Sequence, residues 1–256
     1  MPDATAVARA LLDAWMTLAG VLPGGSVHRT GDVLGAVTGV AVPSLNGVFI
    51  AEVSPDVSEV AALVDEVAAS GLPHSLQFRP GAERALEPIA RGRGMTRVGE
   101  IPVMALDRPS GMQGRTTPAE LVIRELRPDE AALHARVTAD GFEVAAAPFL
   151  QLMTPAVLAL DGARCYLGEM YGAPVATGYA LTRGEGVGVF NIATSRPFRA
   201  RGYGSAVTAR AVADGAAAGA EWAWLQATAA GYPVYERLGF RTVERWRCWI
   251  AVPATG

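Results

Sequence analysis

Arg199-Ala200-Arg201-Gly202-Tyr203-Gly204 is the stretch on which the reading of this chain turns. It follows an apolar run, Val187 to Ala193, that reads as a buried strand. It precedes Ser205 to Ala218, an alanine-rich segment without proline that reads as a helix. The order is strand, arginine-bearing turn, glycines, helix. The first turn of a helix carries backbone N–H groups without intrahelical partners. The aligned peptide dipoles place roughly half a positive charge there. Gly202 and Gly204 lack Cβ atoms, so an anion such as a diphosphate can approach the backbone closely. Arg199 and Arg201 add charge and forked donors. The same six residues also fit a plain strand-to-helix turn with two solvated arginines.

Farther along lies a second apolar run, Glu221 to Thr228 (EWAWLQAT), and then Ala229 to Phe240 (AAGYPVYERLGF). Together these stretches resemble the GNAT family of acyl-CoA-dependent N-acyltransferases. Arg199, Gly202 and Gly204 match its Arg/Gln-x-x-Gly-x-Gly/Ala pyrophosphate loop, and Tyr235, Gly239 and Phe240 match its Tyr-x-x-x-Gly-Phe ending. The two motifs stand in the right order, with a helix and a strand of suitable length between them. The resemblance is strongest over 187–249 and extends over 119–256. It implies an N-acetyltransferase that moves an acetyl (acyl) group from acetyl-CoA, as co-substrate, to a primary amine by direct attack.

The resemblance also implies a site. Backbone groups of Arg199, Ala200, Arg201, Gly202, Tyr203, Gly204 and Ser205 would hold the diphosphate. The pantetheine arm would lie along a splayed strand at Ile192, Ala193 and Thr194, with an N–H near Ile192 facing the thioester carbonyl. Tyr235 would protonate the departing thiolate, although the same residue reads equally as a helix tyrosine that packs its ring. Tyr232, three residues earlier, is the second candidate and would lie on the cofactor side. Thr228 stands where the family often has Asn, seven residues before the tyrosine, and its hydroxyl would meet the CoA arm. The general base is open. Glu169 on a central strand and Asn191 before the loop are candidates; Asp140, Glu143 or a water chain are others, and Glu185 reads as solvated.

Other chemistries find no support in the residues. His134, among Ala131, Leu133 and Val137, reads as a partly exposed helix residue, and His28 and His74 have no ligand partners near them in sequence. No Cys/His/acid cluster has metal spacing, so no metal is expected. A nucleophile elbow of Gly-x-Ser-x-Gly is absent from the sequence. A dinucleotide fingerprint needs Gly-x-Gly-x-x-Gly directly after a strand, whereas Gly202-Tyr203-Gly204 is followed by Ser-Ala-Val and begins eight residues past Thr194. The alternative function is a GNAT-like module that binds CoA or a partner without catalysis.

The chain has 256 residues, half of them apolar, enough for one large domain or two small ones. A net charge of −3 gives no footing for nucleic acid. Cys165 and Cys248 make no disulfide framework and read as buried thiols in a reducing compartment. Met-Pro-Asp-Ala-Thr at the start lacks a basic n-region, and no run of about 20 uninterrupted apolar residues offers a membrane span. A cytoplasmic protein, monomer or homodimer, acting on a small-molecule amine or a peptide amine is expected, with no membrane partner.

In order, the chain predicts a helix over Ala4–Ala19 and a meander over Val27–Thr30, Val33–Val42 and Gly47–Val53. A helix over Asp56–Ser70, a strand over His74–Phe78, a helix over Ala82–Arg91 broken or kinked at Pro88, and a strand over Thr96–Leu106 follow. Asp107 to Pro118 is rich in Pro, Gly and polar residues and reads as a linker. After it the order repeats: strand, helices, strands, the glycine loop, helix, strand, helix, and a final strand over Thr242–Val252. The expected fold is α/β (α+β), with two GNAT-like domains, each a mixed, mostly antiparallel sheet flanked by helices. The boundaries are 1–108, a linker at 109–118, and 119–256. In place of the glycine loop the first half has Glu52-Val-Ser-Pro-Asp56-Val-Ser-Glu59, whose carboxylates repel a diphosphate, so that half is expected not to bind CoA.

Overall fold

A computed structural model describes residues 2–253. The elements run α1 (Ala4–Val21), β1 (Ser26–Thr30), β2 (Val33–Val37), β3 (Gly47–Ile50), α2 (Val57–Ala68), β4 (His74–Phe78), α3 (Glu83–Gly92) and β5 (Thr96–Asp107). They continue with β6 (Leu121–Glu125), α4 (Ala131–Phe142), α5 (Ala147–Leu152), α6 (Pro155–Leu158), β7 (Ala163–Met170) and β8 (Ala173–Arg183). Last come β9 (Gly186–Thr194), α7 (Tyr203–Ala217), β10 (Trp222–Gln226), α8 (Tyr232–Leu238) and β11 (Arg241–Ala251). The chain forms two compact units. One is Asp3–Val103 together with the segment from Thr242 onward; the other is built on Met104–Arg241.

In the first unit the strand order is β1-β2-β3-β4-β11-β5. β3 and β4 are parallel, and β1–β2, β2–β3 and β4–β11 are antiparallel. Asp3 starts α1 by accepting from the Ala6 N–H at 2.7 Å, which satisfies one of the orphan donors of the first turn. The helix then buries Val7, Ala8, Leu11 and Leu12, while Trp15 stacks on Phe49 with centroids 5.1 Å apart. By length and composition α1 is apolar enough to cross a membrane. One face of it is buried in the first unit, and ion pairs run from Arg9 to Asp32 and from Arg29 to Asp13.

In the second unit the order is β10-β9-β8-β7-β6, and Met104–Asp107, the end of β5, lies beside β10. β9 and β10 are parallel; the other pairs are antiparallel. Successive residues of β8 face opposite sides, as the pleat requires. Thr177 meets His134 of α4 on one side, and a Cβ on Gly178 would stand 2.7 Å from Val207 of α7 on the other. Helices therefore cover both faces of this sheet.

The structure differs from the sequence reading at several places. The strand expected over Val33–Val42 ends at Val37, and α3 runs through Pro88 without a break. Asp107 to Pro118 is not a free linker: Pro109–Met112 forms a 3-10 turn, and Met112 is buried in the core of the second unit. The compact units divide at Val103 and Met104, within β5, rather than at 109–118. The final strand, counted with the second half by chain order, pairs with β4 from Arg247↔Phe78 to Ala251↔His74 and so belongs to the first unit.

Candidate functional site

The site grows from the way β9 leaves its neighbours. Its pairing with β10 runs only from Gly186↔Trp222 to Gly188↔Trp224. Beyond that point the strands part, and Phe190 turns edge-on to Trp224 with centroids 5.3 Å apart. On the other side, Phe190 faces Tyr179 and Ala193 faces Thr177, so β9 carries one residue more than β8 over this interval. That is a β-bulge, and Asn191 takes it up at φ +52°. Over the shift a single residue of β8, Gly178, faces both Asn191 and Ile192, and both lie beyond the stretch of β9 that pairs with β10. The Asn191 amide nitrogen lies 3.6 Å from Met153 Sδ.

Past β9 the chain makes a short 3-10 turn at Arg196–Phe198 and then the glycine loop. Ala200 and Gly202 both adopt left-handed backbone, at φ +62° and +82°. Gly202 is the N-cap of α7, and among the described residues no side chain caps this helix. The donors of its first turn are left for another acceptor. The arginines already have partners. Arg199 donates to Glu143 Oε1 at 2.6 Å, to the Gly141 carbonyl at 2.5 Å and to the Thr194 carbonyl at 3.4 Å. Arg201 lies over the Phe198 ring, 5.6 Å from its centroid. Tyr203 contributes backbone to the first turn, but its ring is buried and its hydroxyl donates to Glu120 at 2.9 Å. Ser205 and Gly204 lie half-buried on the same turn. A Cβ on Gly204 would stand 3.4 Å from Thr194 Oγ1, in ordinary contact with the end of β9.

Tyr235 sits on α8 with its ring buried, edge-on to Phe240 at 6.0 Å. Burial pushes its phenol up to about 12. The ring lies so close to Gly231 that a Cβ there would be 2.9 Å from it. Thr228 accepts from the Gly231 N–H at 3.1 Å and its carbonyl accepts from Tyr232, so it closes the turn that leads into α8. Tyr232 is half-buried against the core.

The candidate carboxylates are either ion-paired, like Glu143, or exposed. Glu169 accepts from Arg124 at 3.2 Å, and Arg124 also pairs with Glu130 at 3.1 Å, so this carboxylate is held in an ion-pair chain. Asp140 and Glu185 are exposed. His134 is not partly exposed: it is fully buried, with Nδ1 2.6 Å from Thr177 Oγ1 and Nε2 3.4 Å from Thr138 Oγ1. Thr177 donates to the Tyr166 carbonyl, so His134 Nδ1–H is the donor to Thr177. Burial pushes the imidazole down to about 3 and keeps it neutral. The pairing of Arg199 with Glu143 is not legible in the sequence, because 56 residues separate them and no local pattern encodes it. The bulge at Asn191 has no local signal either.

The corresponding place in the first unit is closed. β3 and β4 stay paired from Gly47↔Ser75 to Ile50↔Phe78, and Arg79 extends the contact by donating to the Ala51 carbonyl at 3.1 Å. Asp56 caps α2, accepting from Ser58 and Glu59 at 2.8 and 3.1 Å. The helix N-terminus that is open in the second unit is filled here by the chain's own carboxylate.

No protein-family model and no curated protein matches the sequence. Solved structures do match in shape. A GCN5-related N-acetyltransferase from Kribbella flavida superposes with a TM-score of 0.72 at 23% identity, covering 100% of this chain and 97% of its own. A functionally unknown conserved protein from Staphylococcus epidermidis gives 0.65 at 13% identity, over 90% and 95%. A tandem GNAT protein from the clavulanic acid biosynthesis pathway gives 0.60 at 14% identity, over 92% and 85%. Parted parallel strands, a bulge beside them and an uncapped helix below thus occur in a chain that has, along its length, the fold of the GCN5-related N-acetyltransferases.

Proposed function

We propose that the second unit is an N-acyltransferase that takes an acyl group, most simply acetyl, from acyl-CoA to a primary amine. The observation that carries this reading is the parting of β9 and β10 above the uncapped N-terminus of α7. The donor set fits a diphosphate, because free N–H groups and the helix dipole favour an anion there and Gly202 leaves the approach open. Residues 199–205 would hold it, and Ile192, Ala193 and Thr194 would line the pantetheine arm. The co-substrate supplies the activated carbonyl.

The chain's own groups do the rest. An N–H at the bulge, at Asn191 or Ile192, lies past the paired stretch of β10 and would face a carbonyl oxygen there. Tyr235 holds a proton at its hydroxyl, and its raised pKa keeps that proton in place at neutral pH. A general base drawn from the side chains has weak support, since Glu169 is engaged by Arg124. We therefore assign the amine's proton to solvent, with Asp140 as the exposed carboxylate on α4. The first unit binds no CoA in this reading, and the protein acts in the cytoplasm as a monomer or homodimer.

Calorimetric titration with acetyl-CoA and with CoA tests the reading, followed by thiol release in a panel of amines. One saturable site per chain and release with at least one amine support it. Binding without release by any amine favours a cofactor-binding module, the reading that the ion-paired Glu169 favours. No binding to either ligand overturns the assignment of the loop.

A further inference from the structure

The two arginines that flank the turn already hold an anion, and it comes from the chain itself. Glu143 Oε1 lies 2.6 Å from Arg199 Nη1, and Glu143 Oε2 lies 3.6 Å from Arg196 Nη1. Glu143 is the C-cap of α4 and is held at φ +58°, a backbone state that a non-glycine residue enters at a cost of about 1 kcal/mol. Arg199 also holds the Gly141 carbonyl of the same helix end at 2.5 Å. Gly141 in turn presses on β9: a Cβ there would be 2.8 Å from Ala193 Cβ and 3.0 Å from Thr194 N. One guanidinium thus ties the anion-binding turn, the end of β9 and the last turn of α4.

We propose that Glu143 occupies, in the free chain, the place on Arg196 and Arg199 that the co-substrate's diphosphate takes, so that diphosphate binding releases Glu143 from the turn. The proposal rests on the reading of residues 199–205 as the diphosphate site. Three observations argue that the exchange is possible. The pair is wet, with side chains 43% exposed at Arg199 and 47% at Glu143, and such pairs are weak. A diphosphate brings more charge than one carboxylate and also meets the uncapped N–H groups of α7, which Glu143 does not cap. In the first unit a carboxylate of the chain, Asp56, sits on the helix donors themselves, the donors that α7 leaves open. The consequence lies at the end of α4. Glu143 leads directly from α4 into α5, a segment on which Phe142, Val144 and Leu150 are exposed. Release of Glu143 couples occupancy of the turn to the freedom of that segment.

The test is calorimetric titration of the full chain and of Glu143→Gln and Glu143→Ala with three ligands. They are CoA, dephospho-CoA, which keeps the diphosphate, and pantetheine, which lacks it. Both variants are expected to bind CoA and dephospho-CoA about two- to fivefold more tightly than the parent, as loss of an exposed competing ion pair implies, and pantetheine with unchanged affinity. Equal or weaker binding of CoA by both variants, with the parent binding normally, overturns the proposal and leaves the site standing. An equal gain for pantetheine overturns it as well, because the effect would not be one of diphosphate competition. If neither parent nor variants bind CoA, the reading of the turn fails and the proposal falls with it.

Discussion

At the scale of the residue, Tyr235 combines what a proton donor needs with what a core residue needs. Its ring is packed on Phe240 and against Gly231, and burial raises its pKa to about 12. Tyr235→Phe keeps the packing and removes the proton. Turnover should fall by about 10²-fold, the usual order for loss of one acid–base group, with acetyl-CoA affinity unchanged. Unchanged turnover with the true acceptor would remove Tyr235 from the chemistry. The pH dependence has a definite sign. A raised pKa keeps the phenol protonated, so the donor is present through pH 10 and is lost only as pH approaches about 12. The alkaline limb of turnover should therefore begin above the ordinary tyrosine value; a limb centred near 10 would contradict this environment. Gly231→Ala tests the packing, since a methyl 2.9 Å from the ring must displace it, and turnover should drop with the fold intact.

At the scale of the element, the contrast between α7 and α2 carries the argument. Each begins after a strand and a turn, but α2 is capped by Asp56 and α7 opens on Gly202 at φ +82°. Gly202→Glu puts a carboxylate where the diphosphate would lie and forces it into left-handed backbone. CoA affinity should fall by more than about tenfold, the weight of at least 1.4 kcal/mol. Gly202→Asn, which tolerates that backbone, should weaken binding less; equal binding by the parent and Gly202→Glu would place the diphosphate elsewhere. The helix α4 offers a second test through His134. Its depressed pKa means that the unfolded chain takes up a proton below about 6.5 that the folded chain refuses until about 3. The stability contributed is full above 6.5 and lost as pH falls through that window, at about 1.4 kcal/mol per pH unit. His134→Leu should show a shallower acid limb in denaturant titrations by that slope, and an unchanged slope would mean that the imidazole is not held neutral.

The same elements show what the sequence makes legible. Strand, loop and helix from Val187 to Ala218 are local patterns, and the structure places β9, the turn and α7 there. His134 was hidden because its partners on the helix face are Ala131, Ala135 and Thr138, small residues that give a weak apolar stripe. Their size is what lets α4 approach Thr177. Asp107 to Pro118 reads as a linker from its composition, and a single residue, Met112, anchors it in the core. The bulge at Asn191 and the clamp of Glu143 depend on register and on long-range pairing, which no local spacing encodes.

At the scale of the whole molecule, chain order and compact units disagree, and the final strand makes the disagreement testable. β11 lies between β4 and β5 in the first unit, although it follows every element of the second. It brings Trp246 and Trp249, both buried, and Glu244. Glu244 accepts from Arg79 Nη2 at 2.6 Å and from Nε at 2.9 Å, with the two side chains 8% and 13% exposed. Removing one partner of a buried pair leaves a charge without compensation and costs about 3–5 kcal/mol. A chain ending at Arg241 should therefore lose hydrogen-exchange protection over Asp3–Val103, and the loss should be smaller over Met104–Arg241. Retained protection over β3 and β4 would show that β11 is not integral to the first unit. The point variant Glu244→Ala isolates the ion pair from the strand. It should lower stability by about 3 kcal/mol, and Arg79→Met added to Glu244→Leu should recover most of it, since two apolar side chains leave no orphaned charge. If the double variant is as unstable as Glu244→Ala alone, the loss arises from packing at that position rather than from the stranded guanidinium, and the role given to Arg79 in closing the first unit's cleft would have to pass to the paired backbones of β3 and β4.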